Sequence, residues 1–172
     1  MPQIILTGFM ATGKTEVGRR LARMLGRPFV DTDGLVEAAA GRSVAEVFAT
    51  EGEAGFRERE RAAVVQACAV PEAVVATGGG TLVDPENRRR LAAAGPIVCL
   101  TASPDVILTR VGDPARRPLL ANGNGRSGGM ERVRALLAER APVYALATHA
   151  VDTSELPVDE VVDRVRQLVA GP

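Results

Sequence analysis

Apolar-rich runs alternate with longer stretches of helical period along the whole chain. The runs Gln3–Thr7, Phe29–Asp31, Val74–Thr77, Ile97–Leu100 and Ala150–Asp152 read as strands. Helical patterns fall at Lys14–Leu25, Gly34–Ala40, Val44–Thr50, Glu53–Ala69, Pro85–Ala94, Pro104–Val111, Gly129–Ala147 and Val158–Val169. Several carry starting signals, among them Asp84 before Pro85, Ser103 before Pro104, and Pro157 ahead of the last helix. Strict alternation of this kind predicts an α/β fold, a parallel sheet covered on both faces by helices. No repeat and no linker interrupts it, so residues 1–172 are expected to form a single domain.

The first strand runs into Gly8-Phe9-Met10-Ala11-Thr12-Gly13-Lys14-Thr15, and a helix follows at once. This is the G-x-x-x-x-G-K-[ST] phosphate loop in the strand–loop–helix setting that gives the motif its meaning. Its glycines let the backbone curl so that successive N–H groups point inward on a triphosphate, and the helix N-terminus adds to the field. The expected nucleotide cradle is Ala11, Thr12, Gly13, Lys14, Thr15 and Glu16. Lys14 reaches the β- and γ-phosphates, and the Thr15 hydroxyl is a ligand for Mg²⁺. ATP and Mg²⁺ are the implied cofactors.

Charge sharpens this reading. The chain holds twenty-one basic residues against twenty-one acidic ones, yet Lys14 is its only lysine. Arginine's planar fork is a poor substitute for a compact charge between phosphates, so one position has kept lysine. A net charge of zero gives no sign of nucleic acid as a partner. No apolar run approaches membrane-spanning length, and Pro2 and Gln3 lead straight into the first strand without a leader pattern. Cys68 and Cys99 have no metal-binding spacing and read as small core residues in a reducing compartment. A cytoplasmic monomer is the expectation.

Other constellations flank the loop. Asp31-Thr32-Asp33 closes the second strand, and residues two apart share a face of an extended segment, so both carboxylates can enter the cleft. One can hold Mg²⁺ and the other accept a hydroxyl proton; a plain helix cap at Asp33 is the structural alternative. No Asp follows Thr77 at the third strand, which leaves Asp31 as the metal-side carboxylate. Gly78-Gly79-Gly80 permits a sharp turn with a ligand directly on the backbone. Glu53 and Glu60 lie one turn either side of Arg57 and can orient its guanidinium, while Arg59 and Arg61 read as a solvated charged face. Pro142, inside a helical pattern, is expected to bend the helix and aim Arg140 at a ligand. Residues 111–129, with Arg116, Arg117 and a Gly/Asn-rich patch, have the composition of a lid over the phosphates. His149 reads as structural.

In this order, the phosphate loop, Asp31-Thr32-Asp33, Phe56-Arg57, Gly78-Gly79-Gly80, Arg117-Pro118-Leu119 and Arg140 with Pro142 and Tyr144 resemble the shikimate kinase family, nearly end to end. The resemblance implies a nucleoside-monophosphate-kinase-like P-loop fold with a five-stranded parallel sheet in order 2-3-1-4-5. It also implies transfer of the γ-phosphoryl of ATP to the 3-hydroxyl of shikimate, in aromatic amino-acid synthesis. By that resemblance Asp33, Arg57, Gly78, Gly79, Gly80 and Arg140 hold shikimate, in an acceptor region of about 33–61 and beyond. Lys14, Asp33 and lid Arg117 are the catalytic group. Thr15 binds Mg²⁺ with Asp31 acting through water, and Arg110, Arg117 and Pro157 flank the nucleotide. Ala11 stands where many members have a further glycine, and none of Ser154, Glu155 and Leu156 is the family's adenine-side arginine. The rival readings are a kinase of another small hydroxylated acid, such as gluconate, or of a nucleoside monophosphate, and a nucleotide-binding protein without turnover.

Overall fold

A computed structural model of the chain describes residues 1–112, 120 and 125–170. Five strands, β1 (Ile4–Gly8), β2 (Phe29–Asp31), β3 (Val74–Ala76), β4 (Ile97–Thr101) and β5 (His149–Asp152), form one sheet. All neighbours are parallel, in the order β2-β3-β1-β4-β5, as expected from the resemblance. The helices are α1 (Lys14–Leu25), α2 (Thr32–Ala40), α3 (Val44–Cys68), α4 (Pro85–Ala94), α5 (Pro104–Val111), α6 (Gly125–Tyr144) and α7 (Val158–Ala170).

Alternation along β1 sorts the core into two layers. Ile4 and Leu6 face α1 and α7, where they pack with Val17, Leu21, Val161 and Val165. Ile5 faces the other way, against Val64 of α3 and Leu91 of α4. The three central strands, β3, β1 and β4, are buried on both faces, which is why their runs are apolar rather than alternating, whereas the edge strands β2 and β5 are partly open. The strand order reverses around β1, so a cleft opens beyond the carboxyl ends of β1 and its neighbours. Both the phosphate loop and the triple glycine leave the sheet at that edge.

Most boundaries fall within one residue of the sequence pattern, and the larger departures are at α2 and α6. Helix α2 begins at Thr32 rather than Gly34, because Asp31 caps it: its Oδ1 accepts from the amides of Asp33 and Gly34 at 3.0 and 3.4 Å. Asp33 therefore sits in the first helical turn and does not share an extended face with Asp31. The predicted helices at 44–50 and 53–69 are both present, joined across a kink at Gly52 (φ 71, ψ −178) and described together as α3. Helix α6 begins at Gly125, four residues before expectation and inside the Gly/Asn-rich patch read as loop, runs through Pro142 and stops at Tyr144, three residues short. After the glycines the chain makes a short 3-10 turn, Thr81–Val83, which the pattern did not announce. Arg117, with Arg116 and most of the proposed lid, lies outside the described residues.

Candidate active site

Gly8 ends β1 with φ +133, and a Cβ there would stand 2.1 Å from the Leu100 carbonyl oxygen. Only glycine lets the loop leave the sheet so close to β4. Ala11 takes the left-handed conformation at φ +58, a strain of about 1 kcal/mol in a residue with a Cβ. Gly13 follows at φ +92 as the N-cap of α1. The buried Thr12 hydroxyl donates to the Phe9 carbonyl at 2.7 Å and closes the loop. Lys14 folds back over it, donating to the carbonyls of Gly8 and Phe9 at 2.8 and 2.7 Å. Desolvation pushes this ammonium down to about 8, against the attraction of Asp33, Cys99 and Asp31. Glu16 turns its carboxylate to Arg20, 2.6 Å away, so only its backbone remains for a nucleotide.

The Thr15 hydroxyl donates to Asp31 Oδ2 at 2.9 Å, which brings the two predicted metal ligands together. Its one proton is occupied, and the lone pairs of Oγ1 remain for a cation. A hydroxyl beside a carboxylate fits Mg²⁺, a hard cation that takes oxygen ligands and keeps several waters. No cluster of three or more acidic, His or Cys ligands exists among the described residues, so water and substrate phosphates would complete the shell.

Next to the loop lies a pocket that is open at its mouth. Asp33, Arg57, Gly78, Gly79, Gly80 and Arg140 all line it, together with Met10, Val44, Phe48, Phe56 and Glu60. The glycines do something more specific than leave room for a ligand. A Cβ on Gly78 would meet Asp33 Oδ1 and Glu60 Oε2, each at 3.0 Å; on Gly79, Arg140 Nη1 at 2.9 Å; on Gly80, Arg57 Nη2 at 2.7 Å. The pocket's charged side chains themselves lie against this backbone.

Glu60 is the hidden strut. It is 1 % exposed, and its two oxygens accept from Arg57 Nη1 at 2.9 Å and from the Thr81 hydroxyl at 2.8 Å. Glu53 reaches the other side of the Arg57 fork at 3.4 Å, so the predicted bracketing holds. Arg140 is buried, stacked 5.5 Å above the Phe9 ring. Tyr144, one turn further along α6, donates to the Gly79 carbonyl and ties the end of that helix to the glycine turn.

Asp33 Oδ1 is buried and has no hydrogen-bond partner. Burial, with Asp31 and Glu60 adding repulsion against the pull of Lys14, raises its carboxyl to about 6. An unpartnered, destabilised carboxylate among fixed cations is a ready acceptor for a hydroxyl proton.

On the far side of the loop, Arg110 donates to the Ala11 carbonyl at 3.2 Å and to Thr153, at 3.1 Å to Oγ1 and 2.8 Å to its carbonyl. Thr153 is buried and bonds in turn to Thr101 O at 2.9 Å and Thr12 O at 3.4 Å. Pro157 is exposed at the entry to α7, four residues further along the same connection. Sequence reasoning missed Thr153 and Thr81, since a lone threonine beyond a strand carries no chemical signature. Arg59 and Arg61, read as a solvated charged face, do lie at the surface, and each has a partner there, Glu51 and Asp84 respectively.

The model of the shikimate kinase family matches residues 10–170. A shikimate kinase of Pelotomaculum thermopropionicum is 44% identical over 165 residues, spanning 96% of this chain and 94% of that protein. One from Symbiobacterium thermophilum is 46% identical, over 95% and 94%. The solved shikimate kinase of Acinetobacter baumannii, in complex with shikimate, superposes with a TM-score of 0.92 at 34% identity, covering 99% of this chain and 93% of the other.

Proposed function

The chain belongs to the shikimate kinase family, and from that premise we propose that it transfers the γ-phosphoryl group of ATP to the 3-hydroxyl of shikimate, giving shikimate 3-phosphate and ADP. The observation that carries the reading is the Asp33 oxygen left without a partner in a pocket that also presents Arg57 and Arg140. A small acid with several hydroxyls needs guanidinium forks for its anion and an acceptor for its reacting alcohol, and this pocket supplies both.

Arg57, braced by Glu60 and Glu53, and Arg140, backed by Phe9 and Tyr144, would grip the carboxylate and leave the alcohol beside Asp33. Holding both reactants so removes most of the entropic barrier to an in-line attack. As the alcohol oxygen bonds to the γ-phosphorus and the β,γ-bridge bond breaks, Asp33 would take the alcohol's proton. Lys14 would stay against the phosphoryl oxygens and offset charge through the transfer. Thr15 and Asp31 would hold Mg²⁺, which neutralises phosphate charge when bound. Arg117 is assigned the same charge-offsetting role from the lid, residues 111–129, and Arg110 and Pro157 the flanks of the base. Every group invoked comes from one 172-residue domain, which supports action as a monomer.

An assay coupled to ADP release tests the activity. Shikimate with Mg·ATP is expected to support turnover, whereas gluconate and nucleoside monophosphates leave only background. Turnover on those acceptors but not on shikimate would overturn the assignment.

A further inference from the structure

Helix α3 supplies two stretches of the acceptor-pocket lining. Val44 and Phe48 precede its break at Gly52, and Phe56, Arg57 and Glu60 follow it. The angle at the break therefore sets how these two stretches stand relative to each other. In an unbroken helix, residues eight apart stand about 12 Å apart along the axis. Here two such pairs touch across the break. Phe48 and Phe56 stack with ring centroids 4.6 Å apart on the pocket side. Glu51 grips the Arg59 guanidinium with both carboxylate oxygens, at 2.8 and 2.9 Å.

The second contact is a built arrangement. Glu51 also accepts from Arg42 at 2.6 Å, and Arg42 donates to Thr50 at 2.9 Å, so the turn before α3 is drawn into the same knot. Gly55 makes room for it, since a Cβ there would stand 2.6 Å from the Glu51 Cβ. Gly52 takes a left-handed φ in open space, so the bend is braced from a distance: by these pairs, and by the core cluster in which Val47 and Phe56 both pack with Val36 of α2. Two-point binding of a guanidinium fixes orientation as well as distance.

We propose that Glu51 is a positioning residue for acceptor binding: through Arg59 and Arg42 it fixes the bend of α3 at Gly52, and with it the spacing between the Val44–Phe48 stretch and the Phe56–Arg57–Glu60 stretch. Glu51 does not line the pocket and acts entirely through these partners. The inference rests on the acceptor pocket assigned above.

Steady-state kinetics of Glu51→Gln, Arg59→Ala and the double variant test it. In each, the KM for shikimate is expected to rise about three- to tenfold while the KM for ATP stays within about twofold. The double variant should be no worse than the worse single, since both remove one linkage. Gly55→Ala, which alters no charge, should reproduce the shift by crowding Glu51, and it keeps the test open if Glu51→Gln does not fold. A lowered melting temperature with an unmoved shikimate KM would overturn the proposal, as would parallel rises in both KM values or additive effects in the double variant. Wild-type protein inactive on shikimate would instead count against the function, and calorimetric shikimate binding by the same variants would then decide this inference.

Discussion

Eight consecutive residues, Gly8 to Thr15, supply the phosphate loop, whereas the acceptor pocket draws its lining from Met10 to Arg140. The loop's turn is closed on itself by short-range contacts, Thr12 to Phe9 and Lys14 to Gly8 and Phe9, and Arg110 and Thr153 add long-range ties to Ala11 and Thr12. The pocket is held by contacts far apart in sequence: Glu60 to Thr81, Tyr144 to Gly79, and Arg57 against Gly80. One half is drawn from a single strand–loop–helix segment. The other exists only once α2, α3, the glycine turn and α6 have docked. Substitutions in the loop should therefore damage chemistry and spare folding, and substitutions in the pocket should affect acceptor affinity and stability together.

Lys14→Ala should show that contrast most strongly. We expect turnover to fall a hundredfold or more with an unchanged circular dichroism spectrum, because a charge directed at the phosphoryl group is lost. A loop that unfolded instead would erase the distinction.

Asp33→Asn should cost around a hundredfold in turnover and also reshape the pH profile. In the free protein Asp33 ionises near 6 and Lys14 loses its proton near 8, so kcat/KM should rise through the first value and fall through the second. The variant should lack the acid limb. Stability has the opposite sign. Between the ordinary Asp value of 3.8 and about 6, the folded protein keeps a proton that the unfolded chain has released, so stability falls as pH rises through that window. Asn in place of Asp33 should remove that fall in urea titrations.

Arg57→Ala should be milder, raising the KM for shikimate roughly tenfold with little change for ATP. It also strips one of two partners from the buried Glu60, so about 1–3 kcal/mol of stability should go with it. An affinity loss without a stability loss would place the Arg57–Glu60 contact outside the folding core.

The same contrast governs what could be read before the structure. The phosphate loop, the five strands and the break in α3 were legible because each depends on neighbours in sequence: glycine spacing, apolar runs, and Gly52 between two helical periods. Asp31 and Asp33 were correctly drawn to the cleft but for the wrong reason. Alternation along a strand does not apply to the pair, because Asp31 ends the strand by capping α2 and that helix carries Asp33 in its first turn. Thr81 and Thr153 were illegible, because a hydroxyl gains its meaning only from a carboxylate or carbonyl brought to it by tertiary packing. The partner of Arg59 was illegible for the same reason: it lies eight residues away, a spacing that no straight helix brings into contact.

Lys14 is the only lysine in the chain, so an amine-selective acylating reagent has two targets, its Nζ and the terminal amine of Met1. Near pH 8 much of Lys14 is the uncharged, nucleophilic form. A second acyl group in an intact-mass spectrum then reports that the loop is vacant, and its suppression by added ATP reports occupancy, with no tag and no altered residue.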